Sequence, residues 1–294
     1  MRSLVDLADS LGKVILKDGV AAASIDGVYL TRSSTTDVPR QASNQPVFCI
    51  VAQGAKELMV NAQPYRCFPG NYLLCTLGIP MSGQITRASA EQPYLGLSMV
   101  LNFTEIASVV RDAGLSGAGG HQRSAAVAAY KMDASLIDAV ARLAEVLQSP
   151  DQIPIMAPIL RREIYFKLLT SENQTLLRRM GDQNGKTQRV LTGLAWLKEN
   201  ATRNIRMTEL ADRLHMSTSS MNAWFRNVTD LSPLQFQKRL RLQEARLMMT
   251  AENVDVTTAS LRVGYESASQ FNREYKRFFG APPLQDVQRL RAGQ

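Results

Sequence analysis

Ser217-Thr-Ser-Ser-Met-Asn-Ala-Trp-Phe-Arg-Asn-Val228 and Ser267-Ala-Ser-Gln-Phe-Asn-Arg-Glu-Tyr-Lys-Arg-Phe278 lie 50 residues apart and match position by position. Met221, Phe225 and Val228 recur at i, i+4, i+7 in the first, and Phe271, Tyr275 and Phe278 do so in the second. That spacing puts the apolar side chains on one face of a helix. Ser217 and Ser267 precede the two patterns, where a hydroxyl can cap the free N–H groups of a first helical turn. The opposite faces carry Ser219, Asn222, Ala223 and Arg226 in one copy and Ser269, Asn272, Arg273 and Lys276 in the other. No carboxylate is among them. Small, amide and guanidinium groups can reach base edges in a major groove, and basic groups can reach phosphate. An ordinary surface helix mixes both signs of charge, so an acid-free face occurring twice points to a polyanionic partner.

Each copy follows a shorter helical pattern. Leu210, Ala211 and Leu214 share one side of Met207–Leu214, and Ala259, Ser260 and Val263 share one side of Asp255–Val263. The turns between are His215-Met216 and Gly264-Tyr265-Glu266. Gly adopts the left-handed conformation freely, and His is enriched there. Helix, tight turn and helix with a polar outer face is the helix-turn-helix design, with units at about 207–229 and 255–279. Between them, Ser232-Pro233 marks the start of a helix running to about Met249, with Phe236, Leu240 and Leu247 as its buried stripe. At about 1.5 Å per residue it spans roughly 28 Å. Successive major-groove faces on one side of B-DNA are about 34 Å apart. Two helices on one such strut could enter neighbouring grooves.

Charge agrees with this reading. The net charge is +8, and Asp182–Gln294 holds 17 basic and 11 acidic side chains against 17 and 15 before it. The 294 residues suggest two domains, here 1–181 and 182–294, joined by a polar linker at Gly181–Lys186. No apolar run is long enough for a membrane span. The acid-bearing start does not read as a signal peptide. The 3 Cys form no CxxC, which suggests a reduced, cytoplasmic protein.

The segments Ser232–Arg246 and Val263–Pro283 closely resemble the signature of AraC/XylS-type transcriptional regulators, and the likeness covers about Lys186–Arg291. It implies a two-unit domain that reads one asymmetric site in duplex promoter DNA and usually activates transcription, with RNA polymerase as a further partner. By position, the family's base-reading places fall on Ser219, Asn222 and Ala223, then on Ala268, Ser269, Gln270, Asn272 and Arg273. His215 and Asp230 stand where the family commonly has Gly.

In the N-terminal half, Met1–Asp18 reads as an amphipathic helix. Val47–Val51, Lys56–Val60, Tyr72–Leu77 and Tyr94–Leu101 read as strands, with turns at Asn61–Pro64 and Pro69–Asn71. Short strands over about 19–102 suggest a small antiparallel barrel or sandwich. Helical patterns follow in 103–181, at Thr104–Val110, Ser135–Leu147 and Ala157–Leu169, with a Gly-rich loop at Gly114–Ser124. These helices either pack on the barrel or pair two subunits. Gln53-Gly54, Pro69–Leu73 and Ile79–Gln84 resemble the N-terminal domain of one AraC-type subgroup, which implies a cupin-like barrel, an effector site and a possible homodimer. The expected fold class is therefore α+β, a cupin-like barrel with flanking helices followed by an all-α domain. Metal chemistry on a cupin wants two or three His with a carboxylate. The chain has only 2 His, His121 and His215, and no GxSxG, HExxH or P-loop. An enzyme, a metal and a cofactor are not expected. Cys49, Cys67 and Cys75 sit in or beside strands. They are either small core residues or thiolates sensing electrophiles or oxidants, with Arg66 placed to lower the pKa of Cys67.

Overall fold

A computed structural model of the chain describes residues 1–36, 40–41, 45–60, 63–78, 81–115, 127–171, 177–178 and 186–292. It divides into two compact units, Met1–Gly185 and Lys186–Gln294. His121, most of the Gly114–Ser124 loop and the linker before Lys186 lie outside the described residues.

The first unit opens with α1 (Leu4–Val14). Ser3 caps it by accepting from the Asp6 N–H, while the Asp6 carboxylate accepts from the Ser3 N–H. The helix is shorter than the Met1–Asp18 pattern suggested, because Ile15 turns extended and the chain enters β1 (Gly19–Ala22). Then follow β2 (Val28–Ser33), β3 (Arg40–Gln41), β4 (Val47–Gln53), β5 (Ala55–Val60), β6 (Gln63–Cys67), β7 (Asn71–Cys75), β8 (Ser82–Arg87) and β9 (Tyr94–Val100). Helix α2 (Phe103–Asp112), strand β10 (Val127–Lys131), α3 (Ala134–Val146) and α4 (Ile153–Thr170) complete the unit.

The strands form two antiparallel sheets, one ordered β1-β2-β9-β4-β7-β10 and one ordered β3-β8-β5-β6. Among the described residues the ladders do not close into a single ring; the arrangement is the two-sheet alternative. The chain changes sheet at Gly54, between β4 and β5, with φ of 82°. A Cβ there would stand 2.5 Å from the Arg87 carbonyl, so only glycine fits this corner. Strand β10 falls inside the stretch read as helical. It pairs with β7, more than 50 residues earlier, and local periodicity carries no sign of that partner.

Alternate residues of each strand face opposite sides. Phe48 and Ile50 of β4 and Tyr72 and Leu74 of β7 join one core with Leu7 and Leu11 of α1, Val140 and Leu143 of α3, and Leu160 and Ile164 of α4. At about 1.5–3 kcal/mol per large apolar side chain, this shared core accounts for the attachment of the helices to the sheet. Arg142 of α3 reinforces it by donating to Asp138 at 2.9 Å and to Glu163 of α4 at 2.7 Å.

The second unit is all-helical: α5 (Lys186–Glu199), α6 (Met207–Arg213), α7 (Thr218–Thr229), α8 (Pro233–Ala251), α9 (Val256–Arg262), α10 (Ala268–Phe279) and α11 (Pro283–Ala292). Both expected caps are present, Ser217 accepting from the Ser220 N–H and Ser267 from the Gln270 N–H. Ser232 and Gln235 form a reciprocal capping box at the start of α8, and Asp255 caps α9. Each cap contributes about 1 kcal/mol. His215 and Asp230 have φ of 51° and 58°, in the left-handed region where the resemblance puts Gly.

Helix α8 packs against α5, α9, α10 and α11. Phe236 and Leu240 are buried as expected, but Leu247 is 46% exposed. The buried row passes instead to Leu242, Ala245 and Met249, which meet Ala259, Val263, Phe271 and Tyr275 of the second helix pair. At the far end Arg246 grips Asp286 of α11 in a bidentate pair at 2.8 and 2.9 Å, and Tyr275 donates to the same carboxylate at 2.8 Å. Burial beside that carboxylate pushes the Tyr275 pKa upward. No helix among the described residues is long and apolar enough to cross a membrane.

Candidate nucleic-acid interface

Helices α7 and α10 repeat one construction. Their apolar sides are sunk into the unit, with Met221, Phe225, Phe271 and Tyr275 fully buried. Phe278 is only half-buried, and the side chain of Val228 lies outside the described residues. Burial of this stripe leaves the other side of each helix turned outward. Ser219, Ala223 and Arg226 of α7 are exposed, as are Ala268, Ser269, Asn272, Arg273 and Lys276 of α10.

Two of the ten expected contact residues differ. Asn222 is half-buried and its amide donates to the Thr218 carbonyl of its own helix at 2.9 Å. Gln270 is half-buried too, and its amide donates to Glu274 at 3.2 Å. Both amides would have to exchange a local bond for a base edge.

Glu274 is the one carboxylate on α10, and it is withdrawn from the exposed face. Lys238 of α8 donates to it at 2.7 Å and Tyr265 at 2.8 Å. Burial alone would raise its pKa, but the bonds from Lys238, Gln270 and Tyr265 outweigh burial and hold it below the ordinary carboxylate value. The acid therefore stays ionised while its charge is offset by Lys238, and the outer face keeps a positive balance. Beside that face runs an open groove of about 540 Å³, bounded by Val256 and Thr257 of α9, by Asn272, Arg273 and Lys276, and by Pro282–Leu284. Two cations on the wall of such a groove suit a phosphate backbone.

In the first unit the three cysteines converge. Cys49 of β4 and Cys75 of β7 lie on the strand faces turned away from the helix-side core, and Cys49 and Cys67 are close enough to act electrostatically on Cys75. All three thiols are free. Arg66 does not activate Cys67 as the sequence suggested: its guanidinium is engaged by Glu57 at 3.1 Å and its side chain is 79% exposed. Burial instead pushes the Cys67 thiol from 9.0 up to about 12, and burial also drives Cys75 well above its ordinary value. Cys49 is half-buried, with Ser98 Oγ at 3.5 Å. Among the described residues no group of three His, Cys, Asp or Glu side chains could hold a metal ion.

Two helix-turn-helix units on a common strut, with acid-free outer faces, define the architecture of a duplex-DNA-binding protein. A family model described as the AraC-type transcriptional regulator N-terminus matches residues 24–176, and a helix-turn-helix domain model matches residues 210–289. The chain belongs to the AraC-type transcriptional regulators. It is 28% identical over 134 residues to the HTH-type transcriptional activator RhaS of Yersinia pestis bv. Antiqua (strain Angola), covering 45% of this chain and 47% of that one. To the HTH-type transcriptional regulator CdhR of Pseudomonas aeruginosa it is 32% identical over 114 residues, 39% of this chain and 30% of that one. The chain thus spans about half or less of the length of these curated relatives. Apo ToxT from Vibrio cholerae superimposes with a TM-score of 0.56 at 11% identity, over 92% of this chain and 100% of that one. ToxT with an unsaturated fatty acid bound gives 0.52 at 12% identity, over 89% and 93%. At these identities the likeness to ToxT concerns the fold alone.

The thiols should differ in reactivity. Under native conditions at pH 8, iodoacetamide should modify Cys49 first and leave Cys67 and Cys75 intact until the protein unfolds, read by peptide mass spectrometry. Cys67 alkylated as fast as Cys49 would contradict the burial argument. Because the folded Cys67 thiol ionises only near pH 12 against 9.0 when free, its contribution to stability is complete below about pH 9 and is lost as the pH rises through that window.

Proposed function

We propose that this chain is a sequence-specific, promoter-binding transcriptional regulator, an effector-responsive activator whose helices α7 and α10 enter successive major grooves. One observation carries the reading: two helices of the same design turn outward a face of small, amide and basic side chains, and the single acid of α10 is paired inward with Lys238. In this reading Ser219, Asn222, Ala223, Ala268, Ser269, Gln270, Asn272 and Arg273 meet base edges. Arg226 and Lys276 meet phosphates. Residues 182–294 form the DNA-binding domain and residues 1–181 the sensor and pairing domain. The protein works in the cytoplasm, where free thiols such as those of Cys49, Cys67 and Cys75 persist, and it acts on RNA polymerase. An effector shifts regulation only through different affinities for two arrangements of the protein. The structure of ToxT with an unsaturated fatty acid bound supports a small-molecule effector for this chain as well.

A second copy of the chain is the partner we assign to α4. Ile155, Ile159 and Phe166 are 67%, 55% and 45% exposed and fall on one side of that helix. Sedimentation of the full chain should give twice the 32.5 kDa monomer mass, with Ile155→Asp/Ile159→Asp returning it to one; an unaltered mass in the variant removes this pairing mode.

For DNA reading, a preferred site is first selected from random duplexes with the full-length protein. Arg273→Ala should then lose about 1–3 kcal/mol of discrimination between that site and random competitor. Ser219→Ala should lose less than about 0.5 kcal/mol, because a single hydroxyl makes no bidentate pair. Equal losses in competition titrations, or no sequence enriched at all, would overturn the assignment.

A further inference from the structure

Arg241 stands midway along α8, and its partners are backbone carbonyls on both sides of the strut. Nε donates to the Ala201 carbonyl at 2.8 Å and Nη2 to the Arg203 carbonyl at 2.8 Å, both in the loop that leads from α5 into α6. Nη1 donates to the Gly264 carbonyl at 2.9 Å, in the turn between α9 and α10. One guanidinium therefore joins the entry to the first helix-turn-helix unit and the turn of the second. Gln237, one helical turn earlier, holds the same loop by donating to the Ala201 carbonyl at 3.0 Å and the Arg203 carbonyl at 2.9 Å.

Gly264 reports how tightly these parts meet. Its φ is +85°, and a Cβ on it would stand 2.6 Å from the Thr202 carbonyl oxygen and 3.1 Å from the Arg241 guanidinium carbon. The loop of the first unit and the turn of the second are thus in direct contact, with Arg241 bonded to both. The contact is made by backbone and guanidinium groups, and it lies beside the apolar cluster that Val263 and Tyr265 share with Leu242, Ala245 and Met249 of α8.

We propose that Arg241 is a positioning residue that sets the separation and angle of the two recognition helices, and so the number of base pairs the protein accepts between the halves of its site. The inference rests on the reading that both α7 and α10 contact the duplex. Arg241 itself touches no base in this scheme. Inserting one base pair moves the second half-site by about 3.4 Å and turns it by roughly 34°. Two units fixed by a three-carbonyl clamp cannot follow that change, whereas units joined by the strut alone can rock toward it. Lysine does not replace arginine here, because one ammonium cannot span three carbonyls that a planar fork reaches together.

The test uses full-length wild-type, Arg241→Met and Arg241→Lys proteins, with thermal unfolding to establish that each is folded. Arg241→Lys keeps the charge and most of the stem, so it carries the test if the methionine variant does not fold. The duplex selected by the wild type is remade with one base pair added or removed between its halves. Wild-type affinity should fall by at least about tenfold on either altered duplex. The variants should bind the parent duplex more weakly yet lose less than about threefold on the altered ones. A uniform loss of affinity with the wild-type spacing profile retained would mean that Arg241 only stabilises the domain, and the proposal would be overturned. If the wild type selects no duplex at all, the reading of function falls and the clamp with it.

Discussion

Helix α8 has to be buried on more than one side at once, and the rest of the second unit follows from that requirement. A surface helix normally commits one apolar stripe to a core. Here the row begins at Phe236 and Leu240 and continues at Leu242, Ala245 and Met249, while Gln237, Gln243 and Arg246 are buried with it. Burying Gln237 and Arg246 is tolerable because each has partners, whereas the buried Gln243 Oε1 has none among the described residues. Gln237 donates to two loop carbonyls, and Arg246 is matched by Asp286 with Phe279 stacked at 4.4 Å. Removing one member of such a buried ion pair typically costs about 3–5 kcal/mol, so these contacts resist change even though the pairs add little net stability.

The same economy of charge governs the outward faces. Lys238 and Tyr265 draw Glu274 inward, so in the proposed complex this carboxylate would not repel a phosphate backbone. Arg273 and Lys276 are left exposed beside the groove. The first helix pair carries weaker chemistry, with Ser219, Ala223 and a single cation, Arg226, at its exposed positions. Binding energy and discrimination would then fall unevenly, more on α10 than on α7.

Much of this architecture was legible in the sequence, for a physical reason. The caps, the left-handed turn at His215, and the buried faces of α6, α7, α9 and α10 are all set within windows of about a dozen residues, where local pattern speaks directly; the left-handed Asp230 was marked only by the family resemblance. What escaped depends on distant partners. The Arg241 carbonyl contacts reach 23 to 40 residues along the chain, and β10 pairs with β7 across α2. Leu247 looked buried because its spacing continued from Leu240, but the core had moved to the next row. Gln270 kept its place on the helix while its amide turned to Glu274, a choice no residue pattern reveals. The convergence of Cys49, Cys67 and Cys75 likewise depends on the fold of strands, and burial there reversed the pKa effect anticipated from Arg66.

The central claim is that one chain presents two reading helices to adjacent turns of one face of a duplex. Dimethyl sulfate protection of guanine N7 reports major-groove occupancy base by base. With the full-length protein on its selected duplex, two protected clusters should appear about 10 base pairs apart, and disabling α10 through Arg273→Ala and Lys276→Ala together should erase one cluster while leaving the other. A single protected cluster in the wild type, or loss of both together at saturating protein, would contradict the account.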